Sequence, residues 1–262
     1  MKYGFLGCGN MGSVIARAIS KTTNQIVITD RSGKARAVAE ELECAYSDAL
    51  MLAQECDGIF LAVKPQMMRE ALSPIRGILE QKKPLLITMA AGLSISAIEE
   101  IVGARLPVIR IMPNTPAATG AGMTVYCHND LVTPDVLSSF VKDMHYTGRM
   151  DSLPEYLIDA ASAVSGSGPA YMYLFLEALA DGAVACGIPR AKAITYAAET
   201  MIGAAQLLLS TGQHPGVLKD AVCSPAGSTI EGIRVLEEHG FRSAVTECVI
   251  AAYQRNKELG HK

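Results

Sequence analysis

Tyr3-Gly4-Phe5-Leu6-Gly7-Cys8-Gly9-Asn10-Met11-Gly12 opens the chain, an apolar run that passes into three spaced glycines. A G-x-G-x-x-G alone is a weak signal, because glycine is common in turns. Here it follows a strand-like segment and leads into a helix-like stretch that runs to about Lys21. In that setting each glycine has a task. Gly7 permits a tight turn, Gly9 lets a pyrophosphate approach the backbone, and Gly12 lets helix and strand pack closely, with the anion at the helix N-terminus. The spacing predicts a dinucleotide-binding βαβ unit with Gly7, Gly9 and Gly12 at the cofactor.

The same alternation continues outward. Gln25–Asp30 is β-branched and ends in an acid, and a polar helical stretch follows to about Leu42. Gly58–Val63, Leu85–Met89 and Pro107–Ile111 are further short apolar runs, each closed by small, proline or polar residues. Such runs separated by helical stretches predict an α/β fold, and strands apolar on both faces should be parallel and covered on both sides. Ligands of open α/β sheets bind at the carboxyl ends of strands. That points to Ala62-Val63-Lys64-Pro65, Met89-Ala90-Ala91-Gly92 and Met112-Pro113-Asn114-Thr115-Pro116, where Lys64 and Asn114 are candidate electrophilic groups or simply loop formers. At the end of the second run, Asp30 would suit a ribose 2′-hydroxyl and NAD. Arg31, Ser32 and Lys34 would suit a 2′-phosphate and NADP. Three phosphate-compatible groups outweigh one acid, so NADPH is the expected cofactor and NADH the alternative.

From about Pro154 the chain shows no strand-like run. Long Ala-, Leu- and Met-rich stretches are broken at Gly166–Pro169, Gly187–Pro189, Gly212–Pro215 and Pro225–Gly227, with Pro169 and Pro189 placed for first helical turns. The expected division is 1–152 and 153–262. Helices over about 170–186 and 189–210 are apolar around most of their circumference. A helix apolar on all sides is buried on all sides. So small a domain cannot bury two of them alone, which predicts an obligate homodimer, the unit from which a larger homo-oligomer would be built.

The remaining composition narrows the classes. Net charge is −3 with no basic block, so nucleic acid is not expected. Glu177 and Asp181 fall inside the most apolar long segment, which argues for a buried helix and against a membrane span. The chain shows no charged leader with a small-residue cleavage site. Its seven cysteines are scattered, with no CxxC pair and no histidine at ligand spacing, so no metal site is expected and reduced thiols in the cytoplasm are.

In the helical half, Cys223-Ser224-Pro225-Ala226-Gly227-Ser228-Thr229-Ile230-Glu231 carries the most information. Ser228-x-x-Glu231 reads as a capping box with Ser228 as the cap. Free backbone N–H groups at such a start can hold a carboxylate, and the Thr229 hydroxyl could meet a second polar atom of the same small molecule. Ser165–Tyr171 is a second glycine-rich helix start, suited equally to close packing or to ligand contact. Glu177 and Asp181 share a helix face, where a surface or interface position is the simpler reading.

Taken together, Phe5–Gly12, Ala62–Pro65, Met112–Pro116, Ser165–Tyr171 and Leu218–Pro225 resemble pyrroline-5-carboxylate reductase, in order and over essentially the whole chain. The resemblance implies an N-terminal Rossmann domain, an all-helical C-terminal dimerisation domain, NADPH or NADH as reductant, and reduction of a cyclic imine to proline. By position it implies cofactor contacts from the backbone of Asn10, Met11, Ala62, Val63 and Lys64. It also implies that Gly227, Ser228 and Thr229 hold the substrate carboxylate, with Thr229 at the substrate nitrogen. The family commonly has Pro-Gly-Gly before the threonine, whereas this chain has Pro225-Ala226-Gly227. Hydride attack on a protonated C=N needs alignment more than a strong acid, which accords with the lack of any His or Glu constellation. A β-hydroxyacid dehydrogenase would need a lysine on the first helix after the sheet domain, and none occurs before Lys192.

Overall fold

The computed structural model describes residues 1–30 and 33–260. Its first part runs β1 (Tyr3–Leu6), α1 (Asn10–Ile19), β2 (Ile26–Thr29), α2 (Gly33–Glu41), β3 (Ala45–Tyr46), α3 (Ala49–Glu55) and β4 (Gly58–Leu61). There follow α4 (Met68–Leu72), α5 (Arg76–Lys82), β5 (Leu85–Thr88), α6 (Ile95–Val102), β6 (Val108–Met112), β7 (Gly122–His128), α7 (Pro134–Asp143) and β8 (Gly148–Ser152). The rest is helical: α8 (Ile158–Ser165), α9 (Gly168–Ala185), α10 (Arg190–Thr211), α11 (Pro215–Ala221), α12 (Ser228–Glu238) and α13 (Phe241–Gly260).

All strands join one sheet in the order β3-β2-β1-β4-β5-β6-β7-β8. The five apolar runs form β1, β2, β4, β5 and β6, buried at every position and parallel to their neighbours in that set. Successive strand residues face opposite sides, so each strand feeds two cores. Tyr3, Phe5, Ile28 and Phe60 pack on α1 and α7, where the Phe5 and Phe60 rings stack 4.6 Å apart. Leu6, Val27, Ile59 and Leu61 pack against α3, α4 and α6. Three strands were not anticipated. β3 is a two-residue edge, β7 runs antiparallel to β6, and β8 pairs with β7. Their burial is mixed or absent, so they lack the continuous apolar run that marks the central five.

The described chain separates into two compact units: Met1–Pro169 together with the stretch from Ala252 onward, and Ala170–Ala251. α9 and α10 begin and end close to the expected limits, although Pro189 precedes α10 as its cap and is not in its first turn. The second unit has almost no core of its own. Only Ala180, Ala193 and Ala197 are buried in it, while Leu174, Leu209 and Val222 are 68%, 72% and 64% exposed. Among the described residues, no helix is long and apolar enough to cross a membrane.

Candidate functional site

The chain order in the sheet reverses at β1, which has β2 on one side and β4 on the other. Such a switch point leaves a crevice beyond the strand ends, because the loops after β1 and β4 lead away in opposite directions. A cleft of about 350 Å³ lies there, lined by Leu6, Gly7, Gly9, Ala62, Val63 and Lys64 among others.

The three motif glycines differ in what they would cost to replace. Gly7 has φ +92, and its N–H donates to the Thr29 carbonyl at 2.8 Å. A Cβ on Gly7 would lie 2.8 Å from both the Ala62 carbonyl oxygen and Val63 Cγ1. A Cβ on Gly12 would lie 3.0 Å from Ala62 Cβ and 3.1 Å from the Gly7 carbonyl oxygen. Gly7 and Gly12 therefore seat α1 against β4. Gly9 is different, because a Cβ there would have no atom within 4 Å. No neighbouring atom excludes a side chain at Gly9, whereas a phosphate lying on the backbone would. No side chain caps α1, and the first intrahelical donor, Ser13 N, reaches the Gly9 carbonyl. The preceding N–H groups, on Asn10, Met11 and Gly12, are the unsatisfied donors of the helix start. This geometry fits a dinucleotide pyrophosphate.

Asp30 serves this loop. Its Oδ2 accepts from the Cys8 backbone N–H at 2.6 Å, and its carbonyl accepts from the Tyr46 hydroxyl at 2.7 Å. Burial, with the Asp30 charge second, pushes the Cys8 thiol up to about 11, so it is no nucleophile at neutral pH. Arg31 and Ser32, expected at the 2′-phosphate, lie outside the described residues, as does the Lys34 side chain. The exposed Lys64 begins a tight turn, its carbonyl accepting from Met67 N at 2.9 Å. Asn114 is buried and tied at both ends of its amide. Its Nδ2 donates to the Ser165 carbonyl at 3.0 Å and its Oδ1 accepts from Met123 N at 2.9 Å. It does not line the cleft. Sequence reasoning missed Ala49, Met67, Ala71 and Pro74, which also line it. They come from helices and turns after strands, and only the folded layout marks them.

In the other unit, α12 starts at Ser228 with Gly227 as its cap, at φ −80 and ψ 168 and without a side-chain hydrogen bond. The expected capping box is not formed. Ser228 is already helical, and Glu231 turns to Arg234 Nε at 2.9 Å. The approach to the helix explains this. Ala226 stands at φ +56, and Gly227 N–H donates to the Ser224 carbonyl at 3.0 Å. A Cβ on Gly227 would lie 2.3 Å from Ser224 Oγ. The tight turn thus brings the chain into the helix one residue early and leaves little room for a side chain at its cap. The result is an exposed helix start with no side-chain cap, carrying Ser228 and Thr229 in its first turn. Its free donors suit a carboxylate. Asp181, read as a surface acid, pairs with Arg190.

A switch-point cleft with a phosphate-compatible glycine loop defines a dinucleotide-binding protein of the Rossmann class. Residues 2–92 match the family model described as NADP oxidoreductase coenzyme F420-dependent, and residues 155–259 match pyrroline-5-carboxylate reductase dimerisation. A pyrroline-5-carboxylate reductase of Escherichia coli (strain K12) is 41% identical over 264 residues, covering 98% of each chain. One of Arabidopsis thaliana is 37% identical, covering 98% of this chain and 95% of that one. The crystal structure of Plasmodium falciparum pyrroline carboxylate reductase with NADP bound superposes with a TM-score of 0.90 at 32% identity, covering 99% of this chain and 98% of that one. The chain belongs to the pyrroline-5-carboxylate reductase family.

Proposed function

We propose that the protein reduces 1-pyrroline-5-carboxylate to L-proline with NADPH, NADH being the alternative reductant, as the last step of proline biosynthesis. The observation that carries this reading is the start of α12, free of any side-chain cap and with Thr229 in its first turn, in a chain 41% identical to a named reductase over 98% of its length. Bound reduced nicotinamide supplies the hydride. Gly7, Gly9 and Gly12, with the backbone of Asn10 and Met11, hold the pyrophosphate. Ala62, Val63 and Lys64 line the next part of the cofactor. Arg31 and Ser32 contact the 2′-phosphate, and Asn114 shapes the loop at the nicotinamide end. Backbone at Gly227, Ser228 and Thr229 takes the substrate carboxylate. Thr229 Oγ1 accepts a hydrogen bond from the protonated ring nitrogen, which keeps the electron-poor C=N form in place for hydride attack.

The division into 1–152 and 153–262 belongs to the same reading. So does a homodimer through α9 and α10, with larger homo-oligomers built from it, and the seven free cysteines support a cytoplasmic setting. The substitution Thr229→Val keeps shape and removes only the hydroxyl. It should lower kcat/KM for the imine by about ten- to a thousandfold, as loss of one positioned polar group does. NADPH affinity, read by fluorescence titration, should stay put. A Thr229→Val protein that turns over the imine at the wild-type rate would remove the threonine from the mechanism.

A further inference from the structure

We propose that Arg36, braced on Tyr46, reads the 2′-phosphate of NADP(H) and so sets the choice between the two nicotinamide cofactors. The proposal rests on the dinucleotide reading of the cleft. Tyr46 ends β3 in register with Ile28 of β2, which places it at the carboxyl edge of the sheet. Thr29 and Asp30, the next residues along β2, line the cleft. The Tyr46 hydroxyl is pinned to the Asp30 carbonyl at 2.7 Å, so the ring has a fixed position. Over that ring lies the guanidinium of Arg36, its Cζ 5.2 Å from the centroid.

Arg36 is exposed and has no carboxylate partner among the described residues. A guanidinium held against an aromatic face keeps its planar fork of N–H donors available to an anion, and that fork matches phosphate oxygens. The neighbouring acid is directed elsewhere, since Asp30 Oδ2 is held by the Cys8 N–H at 2.6 Å. A ribose 2′-hydroxyl would call for that carboxylate. Beside β2, α2 instead presents an oriented guanidinium with no carboxylate partner among the described residues, which suits a phosphate monoester. Tyr46 is the positioning residue, acting on the phosphate only through Arg36.

Fluorescence titration of the full-length protein with NADPH and NADH tests this, with 2′-phospho-ADP-ribose and ADP-ribose as competitors that lack the nicotinamide. Arg36→Gln should weaken NADPH and 2′-phospho-ADP-ribose by roughly ten- to a hundredfold, the size of one charge-assisted hydrogen bond, and leave NADH and ADP-ribose within about twofold. Arg36→Lys keeps the charge without the fork and should fall between. Tyr46→Leu should weaken only the 2′-phosphorylated ligands, by less than Arg36→Gln. Equal weakening of both ligand classes, or no change in either, overturns the proposal while leaving the cleft as the cofactor site. A wild-type protein that binds none of the four ligands overturns the cleft reading and the proposal with it. Arg36 is a surface side chain, so Arg36→Gln decides the matter even if Tyr46→Leu proves unstable.

Discussion

Ala226 stands in the left-handed region at φ +56, where a side chain costs about 1–2 kcal/mol relative to glycine. The turn into α12 keeps this geometry despite the side chain, with the Gly227 N–H on the Ser224 carbonyl. Ala226→Gly removes the strain but loosens the unfolded chain, which takes back about 0.4–1 kcal/mol. The net expectation is a gain of up to about 1.5 kcal/mol, read as a higher denaturant midpoint with an unchanged slope. A loss of stability would show that the alanine methyl makes a favourable contact. That Ala226 needs a positive φ was legible as a departure from the family pattern. The cap position was not. Ser228 and Glu231 have the spacing of a capping box, but the cap is set by the turn through Ser224, and a sequence pattern carries no record of that approach. Asp30 was ambiguous for a similar reason, because its role depends on which way the carboxylate turns, and it turns to Cys8.

At the level of elements, the glycine loop gives a test that separates folding from binding. Gly9→Ala meets nothing within 4 Å and should cost no more than the roughly 1 kcal/mol of a poorer helix cap while weakening NADPH. Gly7→Ala forces a side chain into φ +92 against the Ala62 carbonyl. It should destabilise the protein by about 1–3 kcal/mol whether or not cofactor is present. If Gly9→Ala binds NADPH as tightly as the wild type, the pyrophosphate does not lie where α1 begins. The motif glycines and the five central strands were legible because burial on both faces leaves a continuous apolar run. β3, β7 and β8 were not, since a short edge and strands of mixed burial can be written with polar residues such as those of Gly148–Ser152. The cleft residues Ala49, Met67 and Pro74 were illegible for another reason: the fold brings them to the cleft, and nothing in their own chemistry marks them.

For the whole molecule, the helical unit decides the assembly. Its buried residues are three alanines, while large apolar side chains such as Leu174 and Leu209 face outward. The dimer proposed through α9 and α10 would supply the surface that so poorly cored a unit needs. Light scattering of the full-length protein at micromolar concentration should give at least twice the mass of one chain, and a monomer there would contradict the dimer. The sequence made this inference available because α9 and α10 are apolar around most of their circumference, a property of composition that needs no three-dimensional knowledge. The central claim is the reaction, and the direct measurement is NADPH oxidation by the purified protein with pyrroline-5-carboxylate, run beside a panel of keto acids and with proline quantified. The account predicts that NADPH is consumed mole for mole with proline formed and that the keto acids are not turned over. Reduction of a keto acid with no proline formed from the imine would contradict it.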